Sequence, residues 1–244
     1  MNELEGKTVL VTGAGSGLGA AIARQLVQAR ARVVLADIGA EKAESVARLI
    51  DPEGSATQAL KMDVSQPGDV ANAISDIHAR WGRLDVLINN AGTDVTESIE
   101  DIDAGEWARV VQTNLYGPFL LAKAALPMLR AADAGRGGHI VNVASTAALR
   151  AWPNASAYHA SKWGLRGLSK AMHVELREAG IRVSTLFAGG MRTPFLLERF
   201  PGIDTGLLQD PENVARTVVF LLTVPRGSVI AEMMVLPDRE TSWP

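Results

Sequence analysis

Residues 156–164 read SAYHASKWG and place one of the chain's two tyrosines, Tyr158, four residues before Lys162. In a helix, positions i and i+4 share a face, so the phenol and the ammonium point the same way. A phenol ordinarily titrates near pH ~10 and is a poor base at neutrality. A unit positive charge ~4 Å away, at an effective dielectric near 20, is worth about 4 kcal/mol, or roughly three pKa units at most. That is enough to make the phenol a workable proton acceptor. The pair therefore points to proton transfer, such as the loss of a hydroxyl proton that accompanies hydride removal from an alcohol. The spacing alone is common, and it equally describes a packed ring beside a solvated lysine.

The elements that must position such a pair follow from hydrophobic patterning. Short β-branched runs predict strands at 7–12, 32–37, 56–62, 84–89, 139–145, 182–187 and 229–236. Between them lie helical segments at 17–30, 41–50, 67–81, 105–132, 156–179 and 211–222, with Gly117-Pro118 marking a bend in the long one. Apolar strands joined through helices imply parallel pairing with both sheet faces covered. The expected fold is α/β: one Rossmann-like domain over 1–244, a doubly wound sheet of about seven strands. Ligands bind such sheets beyond the carboxyl ends of the strands, where Thr12, Asp37, Asn89, Ser145 and Phe187 fall. The one long irregular stretch, 189–210, reads as a substrate lid.

The segment VTGAGSGLGAA follows the first strand and opens a helix. Its glycines allow a tight turn and let a phosphate approach the backbone and the helix N-terminus. The spacing Gly13, Gly17, Gly19 puts the first glycine directly after the strand, and is preferred to Gly15, Gly17, Ala20. No Gly-Lys-Ser/Thr follows, which argues against a nucleoside-triphosphate loop. Asp37 closes the second strand about twenty residues on, where a carboxylate accepts hydrogen bonds from an adenosine ribose and repels a 2′-phosphate. The alternative is a simple cap for the next helix. No cation stands beside Asp37, since Ile38 follows it, so NAD is expected over NADP.

Taken with NNAG (89–92), QTNLYG around Asn114, Ser145 and YHASK (158–162), the chain resembles the short-chain dehydrogenase/reductase family of the compact single-domain type. The resemblance covers nearly the whole chain. It implies Tyr158 as acid/base, with Lys162 lowering its pKa and holding the nicotinamide ribose. It implies Ser145 on the substrate oxygen and Asn114 organising a water beside the lysine. For the cofactor it implies Gly13, Ser16, Gly17, Leu18 and Gly19 in the turn, and Asp37 and Ile38 at the ribose. Asp63 and Val64 would flank the adenine, with Asn90, Ala91 and Gly92 along the groove and Gly189 and Thr193 at the lid. Asn89 and Asn90 equally suit backbone groups at the sheet end, and Ser145 equally suits nearby backbone at a strand end. The chain departs from the family at Ala188, where a proline is usual, at Ser184, where an asparagine is frequent, and in its C-terminal part. There Glu232 and a following proline are more like hydroxy-amino-acid and polyol dehydrogenases. The resemblance also implies a homo-oligomer, tetramer or dimer, paired through the helices at 105–132 and 156–179.

The substrate pocket is expected from Ala147, Leu149, Trp152, Phe187, Met191, Phe195 and Leu196, with Arg150 and Arg192 as charged contacts or as plain surface residues. His159 is expected to leave its helix on a different face from Tyr158. The four histidines show no metal-ligand spacing. A net charge of −3 argues against a nucleic-acid surface, and the absence of cysteine excludes disulfides and thiolate metal sites. No signal peptide or membrane span is read, so the protein is expected in the cytoplasm, with a small-molecule substrate and no nucleic-acid or membrane partner. The leading function is NAD-dependent oxidation of a secondary alcohol or the reverse. The alternatives are a 3-oxoacyl thioester reductase, which would favour NADPH, a non-catalytic NAD(H) sensor, and a sugar-nucleotide epimerase, for which the chain has little room.

Overall fold

The computed structural model describes residues 3–239; the ends of the expected range 1–244 lie outside the described residues. The strands are β1 (Thr8–Thr12), β2 (Arg32–Asp37), β3 (Thr57–Lys61), β4 (Val86–Asn89), β5 (His139–Ser145), β6 (Arg182–Ala188) and β7 (Glu232–Val235). The helices are α1 (Gly17–Gln28), α2 (Ala40–Ile50), α3 (Pro67–Trp81), α4 (Ala104–Val111), α5 (Gly117–Gly135), α6 (Ser156–Leu176), α7 (Pro194–Leu197) and α8 (Pro211–Leu222). The strands form one parallel sheet in the order β3-β2-β1-β4-β5-β6-β7. The order reverses between β1 and β4, which opens a crevice there at the carboxyl ends.

Successive strand residues point to opposite faces, and both faces are apolar. Val9, Val11, Val33, Leu35 and Ile88 pack with α1, α2 and α8 through Ile22, Leu26, Ala43, Val214 and Val218. Leu10, Val34, Leu87 and Ile140 pack with α3, α5 and α6 through Ile77, Leu121, Leu129 and Met172. Each such buried side chain contributes about 1.5–3 kcal/mol over exposure, and this double layer holds the strand ends in place.

Two expectations are corrected. The long helix is not bent at Gly117-Pro118: α4 and α5 are separated by a π-helical turn, Gln112–Tyr116, in which the Gly117 N–H reaches back to the Gln112 carbonyl. Pro118 follows directly on this turn, with Tyr116 and Gly117 both in helical conformation, so its missing N–H removes the donor that would close the ordinary bond to the Asn114 carbonyl. The segment 189–210 is not irregular throughout. It contains α7 and a 3₁₀ turn, Thr205–Leu207, and its ends are pinned by a bridge between Met191 and Gln209. The Gln209 N–H donates to the Gly190 carbonyl (3.1 Å) and the Arg192 N–H to the Gln209 carbonyl (3.0 Å). At the family's usual proline position β6 runs on through Ala188, and the next N–H, of Gly189, donates to Val235 (2.8 Å). The last strand is shorter than expected, Glu232–Val235.

At the opposite end of the sheet His139 is buried at the start of β5. The Ser184 hydroxyl donates its proton to the Ile230 carbonyl (2.6 Å), so His139 Nε2 must donate to Ser184 Oγ (2.9 Å). Nδ1 is left buried without a partner. Burial, reinforced by the cations of Arg182, Arg226 and Lys7, pulls the His139 pKa down to about 3. The folded protein therefore refuses a proton that the unfolded chain takes up below about pH 6.5, so stability is lost as pH falls through that window, by about 2 kcal/mol at pH 5. In urea unfolding at pH 7 and pH 5, His139→Gln should lose about 2 kcal/mol less than the parent protein over that interval; equal losses would remove His139 as the source.

Candidate active site

The glycine turn leaves β1 at Thr12 and is held by its own backbone. Gly13 is in the left-handed region (φ 63). A Cβ at Gly19 would collide with the Gly13 carbonyl and come within 2.7 Å of the Asn90 side chain, so only glycine fits there. Thr12 Oγ1 accepts from the N–H groups of Asn90 (3.1 Å) and Ala91 (3.0 Å), and Asn90 Nδ2 donates to the Thr12 carbonyl (2.8 Å). Asn90 thus laces the turn to the end of β4, the sheet-end role that its position also suited. Asn89 donates to Asn142 Oδ1 (2.8 Å). Ser16 stands at the N-cap of α1 but makes no side-chain cap. The amides of that first turn therefore face the cleft without a side-chain acceptor.

Asp37 is not the cap of α2; Gly39 is. Its carboxylate accepts from the Gly15 N–H (2.9 Å) and the Gly39 N–H (2.9 Å) while lining the cleft. Beside it Ile38 is exposed, and Asp63, whose carboxylate holds the Ser65 N–H (2.9 Å), lines the same wall with Val64. Thr193, buried at the start of the lid, packs on the glycine turn: a Cβ at Gly17 would lie 3.2 Å from the Thr193 Cβ. Ala91, Gly92 and Gly189 complete this wall.

Tyr158 and Lys162 share one face of α6, as the spacing requires, and Ser145 stands at the end of β5 in the same cleft of about 1040 Å³. Lys162 is buried, its Nζ donates to the Val143 carbonyl (3.0 Å), and it lies 5.6 Å from the centre of the Tyr158 ring. Ser145 Oγ accepts from the Ala147 N–H (3.2 Å), so the strand-end role is realised as well.

In the free protein the lysine alone does not lower the phenol. Burial pushes Tyr158 up to about 12, a shift the neighbouring Ser145 hydroxyl and Arg199 oppose and the Asp94 carboxylate favours. Burial also pulls Lys162 down to about 8, against the attraction of Asp94. A phenolate at this site loses more hydration than the neighbouring groups return.

Asn114 falls in the π-helical turn, whose extra residue aims its side chain inward. It is fully buried, donates to the Thr93 carbonyl (2.8 Å) and Ser161 Oγ (3.0 Å), and accepts from the Thr93 N–H (2.8 Å). It fastens the loop in which Gly92 stands between Asn114 and Lys162; a Cβ on Gly92 would touch both.

Sequence reasoning missed His159. It is buried, its Nδ1 donates to the Ala147 carbonyl (3.0 Å), and its Nε2 accepts from the Trp152 N–H (3.0 Å). It therefore pins the loop after β5 to the helix that carries Tyr158. The only signal was its place directly after the tyrosine.

The pocket residues divide. Trp152, Met191, Phe195 and Leu196 line the cleft. Ala147, Phe187 and Leu149 pack instead beneath α6, and Arg150 does not reach the cleft. Arg192 ties the lid's neck, donating to the Leu208 carbonyl (2.6 Å) and pairing with Asp210 (3.5 Å). The charged residues that do line the cleft are Asp94, Arg109 and Arg199 together with Asp37, Asp63 and Lys162. Among the described residues no group of side chains is arranged to hold a metal, and no helix is long and apolar enough to cross a membrane.

Comparison with known proteins agrees with this geometry. Residues 7–203 match the short chain dehydrogenase family model. A cyclohexanol dehydrogenase from Acinetobacter sp. (strain SE19) is 35% identical over 248 residues, covering 99% of this chain and 97% of the relative. A solved metagenomic short-chain oxidoreductase in complex with NADP superposes with a TM-score of 0.83 at 34% identity, covering 96% of this chain and 98% of the other. The 3-ketoacyl-(acyl-carrier-protein) reductase of Brucella melitensis complexed with NADH does so with a TM-score of 0.86 at 34% identity, covering 97% and 99%. A glycine turn fastened to the end of β4, a parallel sheet and a tyrosine–lysine pair on α6 thus occur in a chain that belongs to the short-chain dehydrogenase/reductase family of oxidoreductases.

Proposed function

We propose that this enzyme moves a hydride between a nicotinamide dinucleotide, NAD in preference to NADP, and a secondary alcohol or ketone. The observation that carries the reading is the convergence of Ser145, Tyr158 and Lys162 on the cleft opened by the glycine turn. The residues fit the dinucleotide. Gly13 and Gly19 line the cleft with bare backbone, the first amides of α1 lack a side-chain acceptor, and the Asp37 carboxylate lines the wall where a ribose diol would lie. The same carboxylate disfavours a 2′-phosphate, which supports NAD.

The bound nicotinamide supplies the hydride acceptor and, when oxidised, a positive charge. The chain supplies the rest. Ser145 holds the substrate oxygen and donates a hydrogen bond as charge gathers there. Tyr158 takes the hydroxyl proton in oxidation and returns it in reduction. With its phenol at about 12 in the free protein, Tyr158 needs a further cation in the cleft besides Lys162 before it can act as a base. Lys162, fixed on Val143, keeps its ammonium against the tyrosine and reaches the ribose. Asn114 and His159 hold the loops on either side. The lid and Trp152 supply the apolar wall of the cleft.

A 3-oxoacyl thioester reductase remains the second reading, favoured by the Brucella neighbour. That neighbour is complexed with NADH, so cofactor preference does not separate the two, contrary to expectation. Activity on a panel of cyclic and open-chain ketones against a 3-oxoacyl thioester does. We also propose that the enzyme assembles as a homo-oligomer, dimer or tetramer. Exposed Tyr116 and Phe119, stacked at 6.1 Å, and exposed Trp163 on α6 support this.

Tyr158→Phe should lower turnover by about a thousandfold or more while leaving dinucleotide binding, read by calorimetry, unchanged; turnover near the parent level would remove Tyr158 as the acid/base. Asp37→Ala should reduce the ratio of kcat/KM for NAD over NADP by about tenfold, and an unchanged ratio would leave Asp37 only its bonds to Gly15 and Gly39. In a Tyr116→Phe variant Tyr158 is the sole tyrosine. Its phenolate absorbance should be absent below pH 10 in the free protein and should appear at lower pH with oxidised, but not reduced, dinucleotide bound.

A further inference from the structure

Arg199 lies just past α7 in the lid and lines the cleft. Its guanidinium stands 4.1 Å from the centre of the Phe195 ring, and that ring is 6.0 Å from the Tyr158 ring. Phe195 is thus in contact with the cation and neighbours the acid/base, whose ionisation Arg199 favours. Arg199 donates to two neutral acceptors, Nη1 to the Phe195 carbonyl (2.9 Å) and Nη2 to the Asp94 carbonyl (3.1 Å). Among the described residues no carboxylate lies within ion-pair distance of it. Its cleft neighbour Arg109 is paired with Glu106 (2.7 Å), and Arg192 with Asp210 (3.5 Å). A guanidinium has five N–H groups, so Arg199 keeps donors for a planar, two-oxygen acceptor.

We propose that Arg199 is a specificity-determining residue that anchors the carboxylate of a hydroxy or oxo acid whose reacting oxygen lies at Ser145 and Tyr158. This rests on the alcohol-oxidising reading above and names the substrate class for it. The hydrogen bonds of Arg199 go only to backbone carbonyls, with the Asp94 carboxylate acting on it from beyond ion-pair distance, so free N–H donors remain for a substrate carboxylate. Phe195, Leu196, Phe200 and Ile203 supply apolar wall for the carbon body between the two ends. Asp94 stands beside Arg199: its Oδ1 accepts from the Val95 N–H (2.8 Å), burial raises its pKa against the attraction of Arg199, and a substrate carboxylate would share Arg199 with it.

The test uses Arg199→Met, which keeps a flexible side chain on Phe195 and removes the charge, and Arg199→Lys, which keeps charge without the fork. In the first arm, calorimetry measures binding of cyclohexanecarboxylate and of cyclohexanol to the NADH-saturated protein. The parent protein should bind the acid at least about tenfold more tightly than the alcohol. Arg199→Met should erase that preference with the alcohol unaffected, and Arg199→Lys should fall between. In the second arm, kcat/KM is compared for 4-oxocyclohexanecarboxylate and 4-methylcyclohexanone. Arg199→Met should lose about a hundredfold on the acid and less than threefold on the neutral ketone. Equal binding of acid and alcohol by the parent protein overturns the anchor. So does an equal loss on both substrates in Arg199→Met, which would make Arg199 a tether of the lid to Asp94. Selective binding of the acid with no turnover of either ketone would sustain the anchor and sink the oxidoreductase reading instead.

Discussion

The structure turns on a conflict between dryness and charge. Hydride transfer needs a site closed to water, yet the proton that accompanies it must pass through a group able to ionise. The Tyr158–Lys162 pair meets both demands poorly by itself. Burial raises the phenol to about 12 and weakens the ammonium to about 8. The two pKa shifts run in opposite directions from one cause, because burial disfavours the charged form of each group, so neither charges readily unless something else enters the cleft. The free enzyme is thereby held in a state with little spontaneous proton chemistry, and cofactor charge becomes part of the base.

Holding that pair in place is the task of β5 and of the loops beside it. The Val143 carbonyl fixes Lys162, and two residues on, Ser145 carries the hydroxyl proposed to hold the substrate oxygen. Both are set by the register of β5 between β4 and β6. A slip of one residue would turn Ser145 to the other face of the sheet and move the carbonyl from the lysine. The apolar layers on both faces guard against that slip, so packing far from the cleft bears directly on its chemistry.

The strands and helices were legible because each carries a clean period: β-branched runs buried on both faces, and a glycine turn whose crowding no other residue type tolerates. The spacing of Tyr158 and Lys162 was legible because helix geometry is local. What sequence could not show was set by long-range contacts. The π-helical turn at Asn114 depends on Thr93 and Ser161, which are distant in sequence. The burial of His159 depends on a loop folding back over it. Arg150 and Arg192 suited plain surface positions as well as charged contacts, and Arg150 does stay off the cleft; what the chain order could not show is that the lid's fold turns Arg192 to its own neck and brings Arg199 in. The raised phenol of the free protein was not legible for a related reason: a pairwise charge estimate leaves out the water removed from around both partners.

The pinned neck of the lid has a consequence for how such an enzyme diversifies. Because residues 190–192 and 208–210 are bonded to one another, the stretch between them is a closed excursion that begins and ends at nearly one point. Its contents can be exchanged, lengthened or recharged without pulling on β6 or on the sheet. Selection for a new substrate can then act on a dozen or so positions while the proton and hydride machinery stays as it is.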